Sequence, residues 1–187
     1  MTHPSLVFLD YSGSVLDEQA KAWLLTALMQ SPDNHIVTVV PQHNCMSFIE
    51  LTLDTFENVD TVLKTTYGRG GDPNFVKLLN QSLKHPDLNI DVSHIIFCTD
   101  LYIEPFKRPC LPGLEDVRFE FVTELEPDYS QNIYEKYQWA EQFATLTQTV
   151  APDEYQQTLD YLHAVAQHKI IDQSVDGSSR SSVVRKI

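Results

Sequence analysis

The chain has 187 residues, 42% of them hydrophobic, which is the composition of a globular protein with a sizeable core and excludes a disordered chain. Its 26 acidic residues against 13 basic ones give a formal net charge of -13. This balance argues against a nucleic-acid backbone as the main partner, because binding phosphates needs clustered Lys and Arg. It is compatible with bound cations or a basic protein surface, and equally with an acidic, soluble protein that uses its charge for neither.

The three cysteines, Cys45, Cys98 and Cys110, show no Cys-x-x-Cys spacing and indicate neither a zinc site nor a disulfide framework. Cys98 lies inside an apolar run and is interpreted as a small core residue. The N-terminus has no charged and apolar leader pattern, and no apolar stretch approaches the ~20 residues of a membrane span. We therefore expect a cytoplasmic protein.

The first third of the chain alternates strand-like and helix-like segments. Residues 6–9 form a short apolar run, typical of a strand buried on both faces. Apolar residues at three- and four-residue steps predict a helix over 15–30, and the β-branched residues 35–40 predict a strand. Residues 46–53 are compatible with a further strand at a sheet edge, whereas residues 56–66 are ambiguous.

The middle of the chain continues this alternation. A glycine-rich loop at residues 68–73 precedes a predicted helix over 74–84, and Pro73 suits the first turn of that helix. Buried strands are predicted over 92–98 and 117–122. Strands that alternate with helices indicate an α/β fold, with a doubly wound, mostly parallel sheet covered by helices on both faces.

The pattern changes after residue 130. Apolar positions from Ile133 to Thr147 recur at helical spacing, and a second helical stripe covers residues 152–169. Residues from 172 onward are polar and low in complexity. The sequence therefore predicts an α/β domain over 1–128, a C-terminal helical pair over 129–171 and a flexible tail over 172–187.

The apolar run at residues 6–9 ends in the motif Asp10-x-Ser12-x-Ser14. Its three hard oxygen ligands occupy alternating positions and can converge on one point where a strand turns towards a helix. Such ligands suit Mg²⁺ or Mn²⁺ rather than zinc. The same side chains are also typical of a helix N-cap, so the motif by itself leaves both interpretations open.

Two further segments bring polar groups to the same edge of the predicted sheet. The loop at residues 68–73 precedes a helix, and Thr99 and Asp100 end the predicted strand over 92–98. Ligands of an open parallel sheet bind beyond the carboxyl ends of its strands. We therefore expect one site built from three loops at this edge.

This combination resembles the von Willebrand factor A-like (VWA-like) domain with its metal-ion-dependent adhesion site (MIDAS), and more narrowly the bacterial metallopeptidase-associated VWA-like family. The segments that carry the resemblance, within about residues 4–123, are Asp10-x-Ser12-x-Ser14, Gly68-Arg-Gly-Gly-Asp72-Pro-Asn-Phe75 and Phe97-Cys-Thr-Asp100. It implies a Rossmann-like VWA fold and a Mg²⁺ or Mn²⁺ site whose ligands are Asp10, Ser12, Ser14, Asp100 and Asp72. It also implies that a partner is contacted by Arg69, Tyr11 and Tyr102.

Two positions depart from the family pattern. Gly71 stands where the glycine-rich loop of the family has a Thr ligand, so this ligand is absent or replaced by Asp72, by a nearby Thr such as Thr66, or by water. Leu101 follows Asp100 where the family has Gly. A degenerate site that keeps the fold and binds metal weakly is therefore an open alternative.

The resemblance favours a non-catalytic module whose bound cation accepts a carboxylate from a partner protein, in such families often a AAA+ ATPase of the MoxR type. A second hypothesis follows from residues 6–17, which also resemble the first motif of haloacid-dehalogenase-type phosphatases, with Asp10 as the nucleophile. Ser12 stands at its general-acid position, however, and serine cannot protonate a leaving group at neutral pH. A third hypothesis is a metal-free scaffold protein. Spacing alone indicates no Ser-His-Asp or Cys-His arrangement.

Overall fold

The computed structural model describes residues 3–13, 15, 17–41, 46–66, 73–123 and 135–145. In these ranges the strands are β1 (Ser5–Leu9), β2 (His35–Pro41), β3 (Met46–Thr52), β4 (His94–Cys98), β5 (Arg118–Thr123) and β6 (Gln142–Thr145). The helices are α1 (Asp17–Gln30), α2 (Val59–Thr66) and α3 (Phe75–Leu83), and a 3₁₀ turn (Phe56–Asn58) leads into α2.

The strands of the described ranges form one sheet in the order β3-β2-β1-β4-β5-β6. Neighbouring strands are parallel except for β2 and β3, which pair antiparallel at one edge. The chain leaves β1 towards β2 on one side and returns from β3 to β4 on the other, so the strand order reverses between β1 and β4. The predicted α/β class with a doubly wound, mostly parallel sheet is confirmed.

Both faces of the sheet are buried, because successive side chains of a strand point to opposite faces. Val7 and Leu9 of β1 belong to the core layer that contains Trp23 of α1. Phe8, which lies between them in sequence, belongs to the layer that contains Phe75 of α3. This two-sided burial is why β1 consists of consecutive apolar residues instead of an alternating pattern.

Most predicted elements occur with shifted ends. The edge strand predicted over 46–53 is β3, and the ambiguous segment at 56–66 is the 3₁₀ turn followed by α2. The helix predicted over 74–84 is α3, and Asn74 is its N-cap, with a side chain that accepts a hydrogen bond from the Lys77 amide. Cys98 is fully buried, as predicted.

The helix predicted from residue 133 is wrong at residues 142–145, which form β6 and pair in parallel with β5. Phe143 packs against one core layer, where its ring stacks 5.2 Å from the ring of Phe121, while Ala144 packs against the other. Side chains that alternate between two faces have the period of a strand. The spacing of Tyr137, Ala140 and Phe143 imitates a helical stripe although all three pack on the same side of the sheet.

The start of β6 is fixed to β5 through Glu141. Its amide donates to the Phe119 carbonyl at 2.9 Å, and its carboxylate accepts a hydrogen bond from the Phe119 amide at 2.6 Å. Arg108, from the loop before β5, donates to the same carboxylate at 3.0 Å and lies over the Phe119 ring. These bonds explain why the segment joins the sheet edge instead of continuing as a helix.

The helix predicted over 152–169 and the tail predicted over 172–187 lie outside the described residues. Among the helices that are described, none has the length and apolar character required to cross a membrane.

Candidate functional site

The candidate site lies where the strand order reverses, at the carboxyl ends of β1 and β4. Leu9 and Cys98 are register partners, so Asp10 and Thr99 are the next residues along the two strands. The Asp10 amide donates to the Cys98 carbonyl at 2.7 Å, which keeps the backbone of Asp10 attached to β4 after β1 has ended. This crevice is where open α/β sheets bind ligands.

The carboxylate of Asp10 is held from both sides. Its Oδ1 accepts a hydrogen bond from the Ser12 amide at 3.1 Å, within its own loop. Its Oδ2 accepts one from the Thr99 hydroxyl at 3.0 Å, across the β1–β4 boundary. Asp10 and Thr99 are both 0% exposed, so the orientation of this carboxylate is fixed by buried hydrogen bonds.

Two side-chain hydrogen bonds stabilise a tight turn in the loop after β4. The Leu101 amide donates to the Thr99 hydroxyl and the Tyr102 amide to the Asp100 carboxylate, each at 3.0 Å. Such turns are the common use of Thr and Asp at strand ends. Leu101 has a φ of 63°, in the left-handed region that favours glycine. A buried leucine therefore adopts a glycine-like backbone at the position after Asp100.

Two acidic side chains are buried together in this crevice. Burial raises the pKa of Asp10, hydrogen bonds from Ser12 and Thr99 lower it, and the nearby negative charge of Asp100 raises it further, so that the pKa lies above its ordinary value of 3.8. Asp100 is itself only 4% exposed. The crevice therefore concentrates negative charge that a bound cation would offset.

The predicted site residues fall into three groups. Asp10, Ser12 and Asp100 come together in the crevice. Tyr102 is 64% exposed on the loop beside it, whereas Tyr11 is buried in the core and its hydroxyl donates to the Asp17 carboxylate, so Tyr11 presents little surface to a partner. The remaining predicted positions lie outside the described residues: Ser14, Arg69 and Asp72, together with Gly71.

Thr99 was not among the predicted ligands, yet its hydroxyl joins the two strand ends. The only signal for it in the sequence is its position between an apolar strand and Asp100. Its role becomes visible only when β1 and β4 are neighbours, because Thr99 and Asp10 are separated by 89 positions in the chain.

The donors present in the crevice fit a hard divalent cation. Asp10 and Asp100 supply carboxylate oxygens, and Ser12 and Thr99 supply hydroxyls, which is the chemistry that Mg²⁺ and Mn²⁺ prefer. Within the described ranges, His, Cys, Asp and Glu side chains do not gather in groups of three or more that could hold a metal ion. Hydroxyl ligands would therefore have to contribute to any site built here.

No protein-family model and no curated protein matches this sequence. Among solved structures, the chain is similar to the crystal structure of an aerotolerance-related membrane protein from Bacteroides fragilis NCTC 9343 with multiple mutations to serines. The sequence identity is 12%, the TM-score is 0.47, and the alignment covers 88% of this chain and 97% of that chain.

Proposed function

We propose that this protein is a non-catalytic, VWA-like interaction module that binds a divalent cation, Mg²⁺ or Mn²⁺, at the crevice between β1 and β4. The cation would be held by Asp10, Ser12 and Asp100, with Ser14 and Asp72 completing the set. Bound there, the ion would supply an open coordination position for an acidic side chain of a partner protein. The resemblance of the sequence motifs to VWA-like domains makes a MoxR-type AAA+ ATPase the first partner to test.

The observation that carries this proposal is the burial of Asp10 and Asp100 at the ends of adjacent strands. Two carboxylates that repel each other in a site with little solvent are costly unless one holds a proton or a cation lies nearby. Burial raises the pKa of Asp10 more than the hydrogen bonds from Ser12 and Thr99 lower it, so without a cation the crevice favours the first solution. A divalent cation satisfies both carboxylates at once.

The geometry of Asp10 also favours a binding role over the phosphatase alternative. A nucleophilic aspartate must present a carboxylate oxygen to the substrate. Both oxygens of Asp10 accept hydrogen bonds, and the side chain has no exposed surface. Metal-bridged recognition needs only that the carboxylate orient the ion or one of its waters.

The test is Mn²⁺ binding to the full chain, measured by electron paramagnetic resonance of the free ion. We expect one site per wild-type chain, and at least about tenfold weaker binding for Asp10→Asn, which keeps the size of the side chain. The matched control is Asp116→Asn, an exposed aspartate that precedes β5 at the opposite edge of the sheet. Mg²⁺ should compete for the site.

Three outcomes would overturn the proposal in different ways. Equal Mn²⁺ binding by wild type, Asp10→Asn and Asp116→Asn would mean that the ion binds outside this crevice, and no binding by any of them would favour the metal-free scaffold. Hydrolysis of a generic phosphate ester by the wild type, abolished in Asp10→Asn, would favour the phosphatase. Circular dichroism of each variant checks that the fold is retained.

A further inference from the structure

A groove of about 820 Å³ lies beside the candidate site, between α3 and the loop that follows β4. One wall is the polar face of α3, with Lys77, Asn80 and Gln81, and the C-cap of this helix, Lys84. The other wall comes from residues 104–106 of the loop, which begins just after Asp100. The groove therefore starts within a few residues of the crevice. Its lining is mainly basic, amide and apolar side chains, whereas the crevice holds carboxylates and hydroxyls.

The apolar part of the groove is packed against the core. Phe106 lines it, and the Phe106 ring lies 5.4 Å from the ring of Phe97 and 5.3 Å from that of Tyr137, which are both core residues. Phe75 of α3 lines the same groove and packs edge-on against Phe106. A surface whose rings are fixed before binding loses little conformational entropy when a ligand docks.

The charge of the groove is opposite to that of the chain as a whole. Two lysines, Lys77 and Lys84, line it against a single acidic residue, Glu104, whereas the chain carries a net charge of -13. Lys77 of α3 and Lys84, the C-cap of this helix, are exposed and stand seven positions apart. The amide side chains of Asn80 and Gln81, between them, can donate to and accept from the backbone of an extended chain.

The distance between the two lysines along the helix suits a ligand in the polyproline II conformation. Residues seven apart on an α-helix are separated by about 10.5 Å along its axis. In a polyproline II segment, side chains three positions apart lie on one side and are separated by about 9 Å. Grooves lined by aromatic residues are the usual receptors for such segments, and Phe106 supplies the aromatic surface here, alongside Pro73 and Pro105.

We propose that this groove binds a proline-containing, extended segment of a partner protein with acidic residues at positions i and i+3. The two carboxylates pair with Lys77 and Lys84, and the proline rings pack on Phe106. The surface is separate from the cation crevice, so binding does not require a metal ion.

The test is to titrate the full chain with the peptide acetyl-Pro-Glu-Pro-Pro-Glu-Pro-amide in the presence of a chelator. Binding is measured from the chemical shifts of the backbone amides. We expect saturable chemical-shift changes at α3 and at residues 104–106, with half-saturation at a peptide concentration below about 2 mM. A peptide with the two glutamates at i and i+2, and one with lysines in place of glutamates, should each bind at least about threefold more weakly.

Three variants sharpen the test. Lys77→Gln should weaken peptide binding and Glu104→Gln should strengthen it, each about two- to fivefold. The control is Lys107→Gln, which lies in the same loop as Glu104 but does not line the groove, and it should leave binding unchanged. No saturable shift in the wild type, equal binding of the lysine peptide, or equal loss in Lys77→Gln and Lys107→Gln would overturn the proposal. Because the chelator removes cations, none of these results depends on the proposed metal site.

Discussion

The Thr99 hydroxyl donates a 3.0 Å hydrogen bond to the Asp10 carboxylate and so joins the ends of β1 and β4. The same hydroxyl oxygen accepts a hydrogen bond from the Leu101 amide. One side chain therefore orients the carboxylate of Asp10 and also supports the turn that positions Asp100. This double role makes Thr99 the most informative position for mutation.

Thr99→Val keeps the shape of the side chain and removes its hydroxyl. We expect a loss of about 1–3 kcal/mol in the free energy of unfolding, because the buried carboxylate and the Leu101 amide each lose a partner. The pKa of Asp10 should rise further, since the Thr99 hydrogen bond lowers it. Urea denaturation and an NMR titration of the Asp10 carboxyl measure the two effects. Thr99→Ser, which keeps the hydroxyl, should preserve the pKa; an unchanged pKa in Thr99→Val would contradict the assigned role.

The raised pKa of Asp10 predicts how stability depends on pH. Between the ordinary value of 3.8 and the raised value, the folded chain holds a proton that the unfolded chain has released. The free energy of unfolding contributed by this group therefore falls as the pH rises through that interval. Asp10→Asn should lack this contribution, which denaturation at a series of pH values from about 3 to about 7 would detect.

A control comes from the cation. In the proposed site, saturating Mg²⁺ favours the charged carboxylate, so it should lower the pKa of Asp10 in the wild type and shift the same pH dependence towards acid. Identical profiles for wild type and Asp10→Asn, without added metal, would show that Asp10 titrates as an ordinary aspartate.

The sequence was sufficient for the architecture and for part of the site. Apolar runs that end in polar residues identified β1 and β4, and the rule for parallel sheets then brought Asp10 and Asp100 to one edge. The Thr99 contact could not be predicted, because it depends on the register between Leu9 and Cys98. Strand β6 was missed because apolar residues at positions 137, 140 and 143 imitate helical spacing, and only pairing with β5 decides between the two periods.

The left-handed backbone of Leu101 leads to a test that separates strain from packing. Leu101 is buried in the core layer of α3, so Leu101→Ala should cost about 2–4 kcal/mol of stability through lost packing. Leu101→Gly loses the same packing but accepts a φ of 63° without strain. We therefore expect the Gly variant to be about 1 kcal/mol more stable than the Ala variant, by urea denaturation.

This order is the reverse of the usual ranking, in which Gly is less stable than Ala because it has more freedom in the unfolded chain. If Leu101→Ala proves as stable as or more stable than Leu101→Gly, the backbone at this position does not carry the strain that its φ indicates.

At the opposite edge of the sheet, a buried polar chain links the amino ends of β1 and β4. The Ser5 hydroxyl lies 2.6 Å from Nδ1 of His94, whose Nε2 lies 3.3 Å from Oε2 of Glu120. The other carboxylate oxygen of Glu120 pairs with Arg118. Ser5, His94 and Glu120 are too far apart in sequence for spacing to reveal this arrangement, and Ser5 has no exposed surface that would let it act on a substrate.

A double-mutant cycle at His94 and Glu120 measures what this pair contributes. Each side chain is almost fully buried, so replacing one partner leaves the other polar group in a site of low dielectric. We expect His94→Leu and Glu120→Leu each to lower the free energy of unfolding by about 2–4 kcal/mol, although the remaining partner keeps one contact in each case, Arg118 for Glu120 and Ser5 for His94. The double variant should lose at least about 1 kcal/mol less than the sum of the single variants. Additive losses, within about 0.3 kcal/mol, would mean that the two side chains stabilise the fold independently.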